Sequence, residues 1–175
     1  FRLDAGHALA DSSAKHILEE IAERVAEEAQ RTGKDLVTIA ESDLNDPRMI
    51  AATHRHGLGM DAQWLDDVHH AAHTAFTGET QGYYGDFASL HALEKTMHTA
   101  YFHNGTYSTF RGRSHGREID PVEQRPYQFV TFLQNHDQVG NRAAGDRMNQ
   151  SMSVDRAIAA ATWLLAQPFT PMPVS

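Results

Sequence analysis

The 175-residue sequence has no cysteine, which excludes disulfides and thiolate chemistry but says little about compartment. Basic residues are scarce: 15 Lys and Arg stand against 23 Asp and Glu, a formal net charge of -8. That balance argues against nucleic acid as a partner, because phosphates need a basic face. Long apolar runs are missing as well. The longest, Ala157 to Ala166, is interrupted by Thr162 and is too short to span a bilayer, so no membrane partner is expected. An initiating Met is lacking too. The chain opens at Phe1 inside a strand-like run and stops at Pro173-Val174-Ser175 where another strand is due, so a piece of a longer protein is expected. No signal peptide is visible, which is uninformative without the native N-terminus.

What is present is a repeated construction, an apolar strand that ends on an acid. Phe129 to Leu133 are β-branched or aromatic with one Leu, too short for a helix and bounded by Pro126. Gln134, Asn135, His136, Asp137 and Gln138 follow, all able to hydrogen-bond a polyhydroxyl ligand. Phe1-Arg2-Leu3-Asp4 and Leu36 to Glu41 have the same form. Strands that each finish on a carboxylate point to one site at the carboxyl ends of a parallel sheet.

Between the first two strands, Ala14, Ile17, Leu18, Ile21, Ala22, Val25 and Ala29 fall at helical spacing, with Ser12 or Ser13 as the N-cap and Gly33 as the stop. This is a βαβ unit with a right-handed crossover. Met60 to Trp64 reads as a third strand, though its polar residues suit a loop equally. Leu65 to Gly85 reads as a long His- and Asp-rich connection of the kind that carries function. A core-facing helix is expected around Phe87 to Tyr101, an ordered surface loop over Asn104 to Arg125, and a last helix from Ser153 to Pro168. The alternation fits half of a (β/α)8 barrel or part of a doubly wound sheet. Acids drawn from several strand ends favour the barrel, which four strands cannot close.

A glycosidic bond is cleaved through an oxocarbenium-like state, using one ionised carboxylate beneath the sugar and one protonated acid beside the leaving oxygen. Asp4 and Glu41 on adjacent strands, with Asp137 closing the triangle, suit that need. The bland alternative makes each acid a helix N-cap or a solvated loop residue. Asp66, Asp67, His69, His70 and His73 resemble a metal site at first sight, yet their spacing matches no common zinc pattern and suits sugar hydroxyls as well. No metal is assigned. Trp64, Tyr83, Tyr84 and Phe87 offer a stacking platform for sugar rings or ordinary core packing. Arg111, Arg113 and Arg117 read as a solvated basic patch, and His16, His54, His56, His91 and His98 as surface or packing residues.

In order and spacing these motifs resemble the α-amylase superfamily, glycoside hydrolase family 13. Phe1-Arg-Leu-Asp4 is similar to its strand-four region, Ala40-Glu41 to its strand-five region, and Asn135-His-Asp137 to its strand-seven region. Five longer strings resemble the maltooligosyltrehalose trehalohydrolase branch of that superfamily: Asp4 to Ala8, Ala40 to Pro47, Asp61 to His70, Arg111 to Gly116 and Leu133 to Arg142. The resemblance implies the C-terminal part of an incomplete (β/α)8 TIM barrel, about strands four to seven, over residues 1–175. The upstream strand-three motif and the β domains on either side are absent, and the expected strand eight gives way to Pro173-Val174-Ser175. It also implies a retaining hydrolase acting on the α-1,4 bond next to the terminal trehalose of a maltooligosaccharide-type substrate, without cofactor, in the cytoplasm. Asp4 would be nucleophile, Glu41 general acid/base and Asp137 transition-state stabiliser. Arg2 would hold Asp4 ionised, and His7, Trp64, Asp66, Asp67, His69, His70, His136, Gln138 and Asn141 would bind substrate. An amylase, a branching enzyme, an inert sugar-binding piece, or a metal hydrolase using His69, His70 and His73 remain as alternatives.

Overall fold

The alternation of short apolar runs with amphipathic helices produces a parallel sheet wrapped by helices. The computed structural model describes residues 1–173. Strands β1 (Arg2–Leu3), β2 (Ile39–Ala40), β3 (Ala62–Trp64), β6 (Phe129–Thr131) and β7 (Thr170–Pro171) form one sheet in that order, all neighbours parallel. The register pairs Leu3 with Ala40, Ala40 with Gln63, Trp64 with Val130 and Thr131 with Pro171. Every strand therefore ends at one rim, the rim that carries Asp4, Glu41 and the segment after Phe132. The short β7, just ahead of the Pro173-Val174-Ser175 stretch at which the sequence reading lost strand eight, gives the sheet five strands rather than four. Val174 and Ser175 lie outside the described residues.

Helix α1 (Ile17–Thr32) fills the first crossover and stops at Gly33, whose φ of 66° is the left-handed turn that glycine adopts freely. Its cap differs from expectation. His16, not Ser12 or Ser13, is the N-cap, and Asp11 reaches forward to accept from Ile17 N at 2.6 Å. Leu18 of α1 is buried with Met60, Leu65, Val68, Tyr101 and Phe129 in the main core between sheet and helices.

Two expectations fail. Leu65 to Gly85 is not a loop: it holds α2 (Asp66–Thr77) and a 3-10 turn over Gly82–Phe87. The segment 104–125 contains an antiparallel hairpin, β4 (Thr106–Ser108) with β5 (Arg113–His115). The hairpin is tied to the loop after β2 through Asn45, which donates to His103 O at 2.9 Å and accepts from Arg117 N at 3.0 Å. Gly116 sits in that junction at φ 76°, where a Cβ would lie 1.9 Å from His103 O. Helices α3 (Leu90–Thr99), α4 (His136–Gly140) and α5 (Val154–Leu165) complete the chain. Among the described residues no helix is long and apolar enough to cross a membrane.

Candidate active site

Arg2 is the centre of the carboxyl rim. It leaves β1 with its guanidinium 4.3 Å above the Trp64 ring, a cation–π seat at the end of β3. From there one nitrogen, Nη1, donates both to Asp4 Oδ1 and to Glu41 Oε2, the latter at 2.6 Å. Nη2 lies 3.3 Å from His136 Nε2. Arginine cannot accept, so that histidine nitrogen is the acceptor. The ends of β1, β2, β3 and β6 thus meet on one cation.

Because both acid oxygens lie on one nitrogen, they are nearer each other than the ~5–5.5 Å between the carboxyl groups of retaining glycosidases. They are well inside the ~6.5–9.5 Å that leaves room for a water in inverting ones. The two acids are not equivalent. Asp4 is 76% exposed at its side chain, and Glu41 only 18%. A hydrogen bond from Glu41 and the Arg2 guanidinium hold Asp4 below its usual range. Burial pushes Glu41 up, as does its hydrogen bond to Asp4, and the charge of Asp137 adds to this. The two carboxyls are thus biased apart, Glu41 toward holding a proton and Asp4 toward the carboxylate, and a bias of this kind separates an acid from a nucleophile. The backbone opposes the Glu41 shift in part, since an N–H favours the carboxylate form. Ala5, a non-glycine residue at φ 43°, turns its N–H to Glu41 Oε2 at 3.2 Å. Such a left-handed residue beside two carboxylates is the type of local strain that collects at functional sites.

A cleft of about 250 Å³ opens beside the pair. Of the residues expected from sequence, His7, Glu41, Asp66, His70, Asp137, Gln138 and Asn141 line it. Asp137 is in the first turn of α4, whose N-cap Asn135 accepts from Asp137 N at 2.8 Å. Asp66 retains part of its surface toward the cleft. Even so, burial and then the like charges of Asp67, Asp43, Glu41 and Asp137 push its carboxyl up to about 8. It is a neutral acid at pH 7 and can donate a hydrogen bond.

Trp64, Asp67 and His69 are corrections. Trp64 is buried, carrying Arg2 on its face and Phe132 against its edge at 5.3 Å, so it is a support rather than a sugar platform. Asp67 is buried beneath the cleft, where one oxygen accepts from Asn45 Nδ2, Phe102 N and His103 N at 2.7–2.9 Å. His69 is wholly buried between Leu133 O and the Tyr84 hydroxyl. His73 is committed to Glu79 at 2.6 Å. His69, His70 and His73 therefore do not converge as a ligand set, and among the described residues no cluster is arranged to hold a metal ion.

Tyr83, read from sequence as a stacking or packing residue, lines the cleft too, and three lining residues had been given no site role: Asp43, Phe110 and Arg111. Asp43 follows Glu41 by two positions and accepts from Arg111 Nη2 at 2.6 Å. That pair ties the hairpin tip to the rim, so Arg111 is no solvated patch. The one available signal was Asp43 sharing the parity of Glu41 beyond the strand end.

No family model matches the chain. Relatives do. The chain is 55% identical over 172 residues to the malto-oligosyltrehalose trehalohydrolase of Arthrobacter ramosus, covering 98% of this chain and 30% of that protein. The protein of the same name from Saccharolobus solfataricus is 44% identical over 172 residues, covering 98% and 29%. The chain is a homologue of these trehalohydrolases. It spans about 30% of their length. A 1.4 Å crystal structure from Salmonella typhimurium, provisionally named an alpha amylase, superposes with a TM-score of 0.87 at 36% identity, over 99% of this chain and 30% of that one. An Anoxybacillus alpha-amylase matches with a TM-score of 0.51 at 21% identity over 90% of this chain and 27% of that one, a likeness of fold alone. In fold the chain is an incomplete α-amylase-type (β/α)8 barrel.

Proposed function

We propose that the chain carries the catalytic acids of a retaining glycosidase that hydrolyses the α-1,4 bond next to the terminal trehalose of maltooligosyltrehalose, releasing trehalose. The observation that supports this best is the Arg2-bridged pair, in which Asp4 is held down and Glu41 pushed up. Asp4 attacks the anomeric carbon and forms a glycosyl ester as Glu41 gives its proton to the departing glycosidic oxygen. Esterification removes the Asp4 charge, which lowers the proton affinity of Glu41 and leaves it a carboxylate base. Glu41 then takes a proton from water, whose oxygen displaces Asp4 and restores the starting state. Asp137 stabilises the positive charge that develops on the sugar ring. His7, His136, Gln138, Asn141 and His70 meet hydroxyls along the cleft, with Asp66 as a neutral donor. No cofactor enters the scheme.

The trehalose end is supported by the names of the relatives. The alternative within the superfamily is an α-amylase or branching enzyme, which would use the same acids. Asp4→Asn, Glu41→Gln and Asp137→Asn in an enzyme spanning the full length of the relatives should each cost at least ~10²–10⁴-fold in kcat. Near-normal turnover in any of the three would remove its assigned role. Turnover of plain maltooligosaccharides at the rate of the trehalose-capped substrate, or α-1,6 branch formation, would move the reading to the alternative. The isolated 175-residue chain, with β1 and β7 paired on one side only among the described residues, is expected to release no trehalose. Measurable release would contradict that.

A further inference from the structure

The segment 133–142 leaves β6, forms α4 and presents Asp137, Gln138 and Asn141 to the cleft. Its bonds within the turn are local, Asn135 capping Asp137 N and Gln138 accepting from Asn135 N at 2.8 Å; beyond it, Gln134 accepts from Met148 N at 3.0 Å and His136 Nε2 meets Arg2 Nη2 at 3.3 Å. The local bonds fix the turn, and the contact toward Asp4 and Glu41, at 3.3 Å through Arg2, is long. A helix of five residues has little to hold it in position by itself.

Two further anchors bracket it. At its start, Leu133 O meets His69 Nδ1. At its end, Arg142 makes a two-pronged contact with Glu79, at 2.8 and 2.9 Å. A single chain of contacts joins the anchors. His69 and His73 are one turn apart on α2. The Tyr84 ring stacks on His73 at 4.3 Å and 13°, and its hydroxyl is 3.0 Å from His69 Nε2. His73 Nε2 reaches Glu79 at 2.6 Å.

The protons in this chain are determined. Burial pushes His69 down to about 3, so the ring is neutral. Leu133 O can only accept, so Nδ1 carries the hydrogen and Nε2 accepts from the Tyr84 hydroxyl. At the other end Arg142 first, and His73 second, hold Glu79 down at about 2, so it is ionised at any working pH. Glu79 is the one joint shared by His73 and Arg142. It is partly exposed, and ion pairs in such settings contribute little to stability. Its effect is expected on position instead.

We infer that Glu79 is a positioning residue: through Arg142 it holds the segment bearing His136 and Asp137 at the distance from Arg2, Asp4 and Glu41 that catalysis requires. The inference rests on the glycosidase reading for its kinetic consequence but not for its structural one. In an enzyme of full length, Glu79→Gln keeps the shape and removes the charge. Its kcat should fall about 10²-fold, the cost of roughly 1 Å of misplacement, with KM changed less and the melting temperature nearly unmoved. In an Asp137→Asn background the same substitution should add less than about 3-fold, since groups acting as a unit are not additive. An undiminished kcat in Glu79→Gln, or the same loss in both backgrounds, would overturn the inference. If Asp137→Asn alone leaves turnover intact, the glycosidase assignment fails instead. Hydrogen exchange of the amides of residues 135–142 then decides the positioning role without reference to catalysis. Faster exchange in Glu79→Gln is expected, and unchanged exchange would overturn it.

Discussion

Helix α2 has two histidine-bearing rows one turn long, and they have opposite fates. Asp66 and His70 are four residues apart and line the cleft. His69 and His73, also four apart, are turned into the protein, each ring engaged by a partner. Residue type and spacing are alike. What differs is the company: Leu133 O and the Tyr84 hydroxyl close on His69 and Glu79 closes on His73, while Asp66 and His70 keep part of their surface toward the cleft and its acids. The buried row therefore consists of rings committed to protein partners, His69 neutral and bonded at both nitrogens and His73 bonded to Glu79. The cleft row contains an acid pushed up to about 8, ready to donate to a ligand. The comparison teaches that an imidazole on this helix is structural or functional according to what closes its hydrogen bonds.

The comparison can be broken most directly by truncating one ring from each row. His69→Ala should cost ~2–4 kcal/mol, because it opens a cavity and leaves Leu133 O and the Tyr84 hydroxyl unmatched in the interior. Denaturant unfolding would read this. His70→Ala should cost clearly less stability, and in the full-length enzyme it should raise KM several-fold. If His70→Ala destabilises as much as His69→Ala with KM unchanged, the two rows are not different in kind.

Asp66→Asn sharpens the same contrast through pH. A carboxyl raised to about 8 in the fold binds its proton more tightly than in the unfolded chain. The fold therefore bears no penalty below about pH 4 and loses stability as pH rises through the window up to about 8. Asparagine removes that slope. The variant should gain at least ~1 kcal/mol on the native protein between pH 5 and pH 8. Parallel stability curves over that range would show that Asp66 is ionised like a surface acid.

Much of this was legible in the sequence, for identifiable reasons. Leu36 to Glu41 and Phe129 to Leu133 announce strands because β-branched and aromatic residues run unbroken into an acid. Helix α1 announces itself because its buried face is aliphatic. Helix α2 did not, because Val68 is the one large aliphatic on a buried face otherwise made of Asp67, His69, Ala71, Ala72, His73 and Thr74. Histidine scores as polar until its partners are known, and those partners, Tyr84 and Leu133, are distant in sequence. Gly78, left-handed at φ 81°, and the paired acids Asp66 and Asp67 at the start were the helix signals present. The β4–β5 hairpin offered only three residues a side. Trp64 illustrates the converse. An aromatic among acids reads as a sugar platform, and only the fold reveals that Arg2 occupies its face.

The central claim is that Asp4 and Glu41, sharing Arg2, form a double-displacement pair. The stereochemistry of the first product tests it most directly. Proton NMR of an enzyme of full length acting on maltooligosyltrehalose should show the new reducing end emerging as the α-anomer before mutarotation. Emergence of the β-anomer would mean a single displacement by water, and would contradict the role given to Asp4.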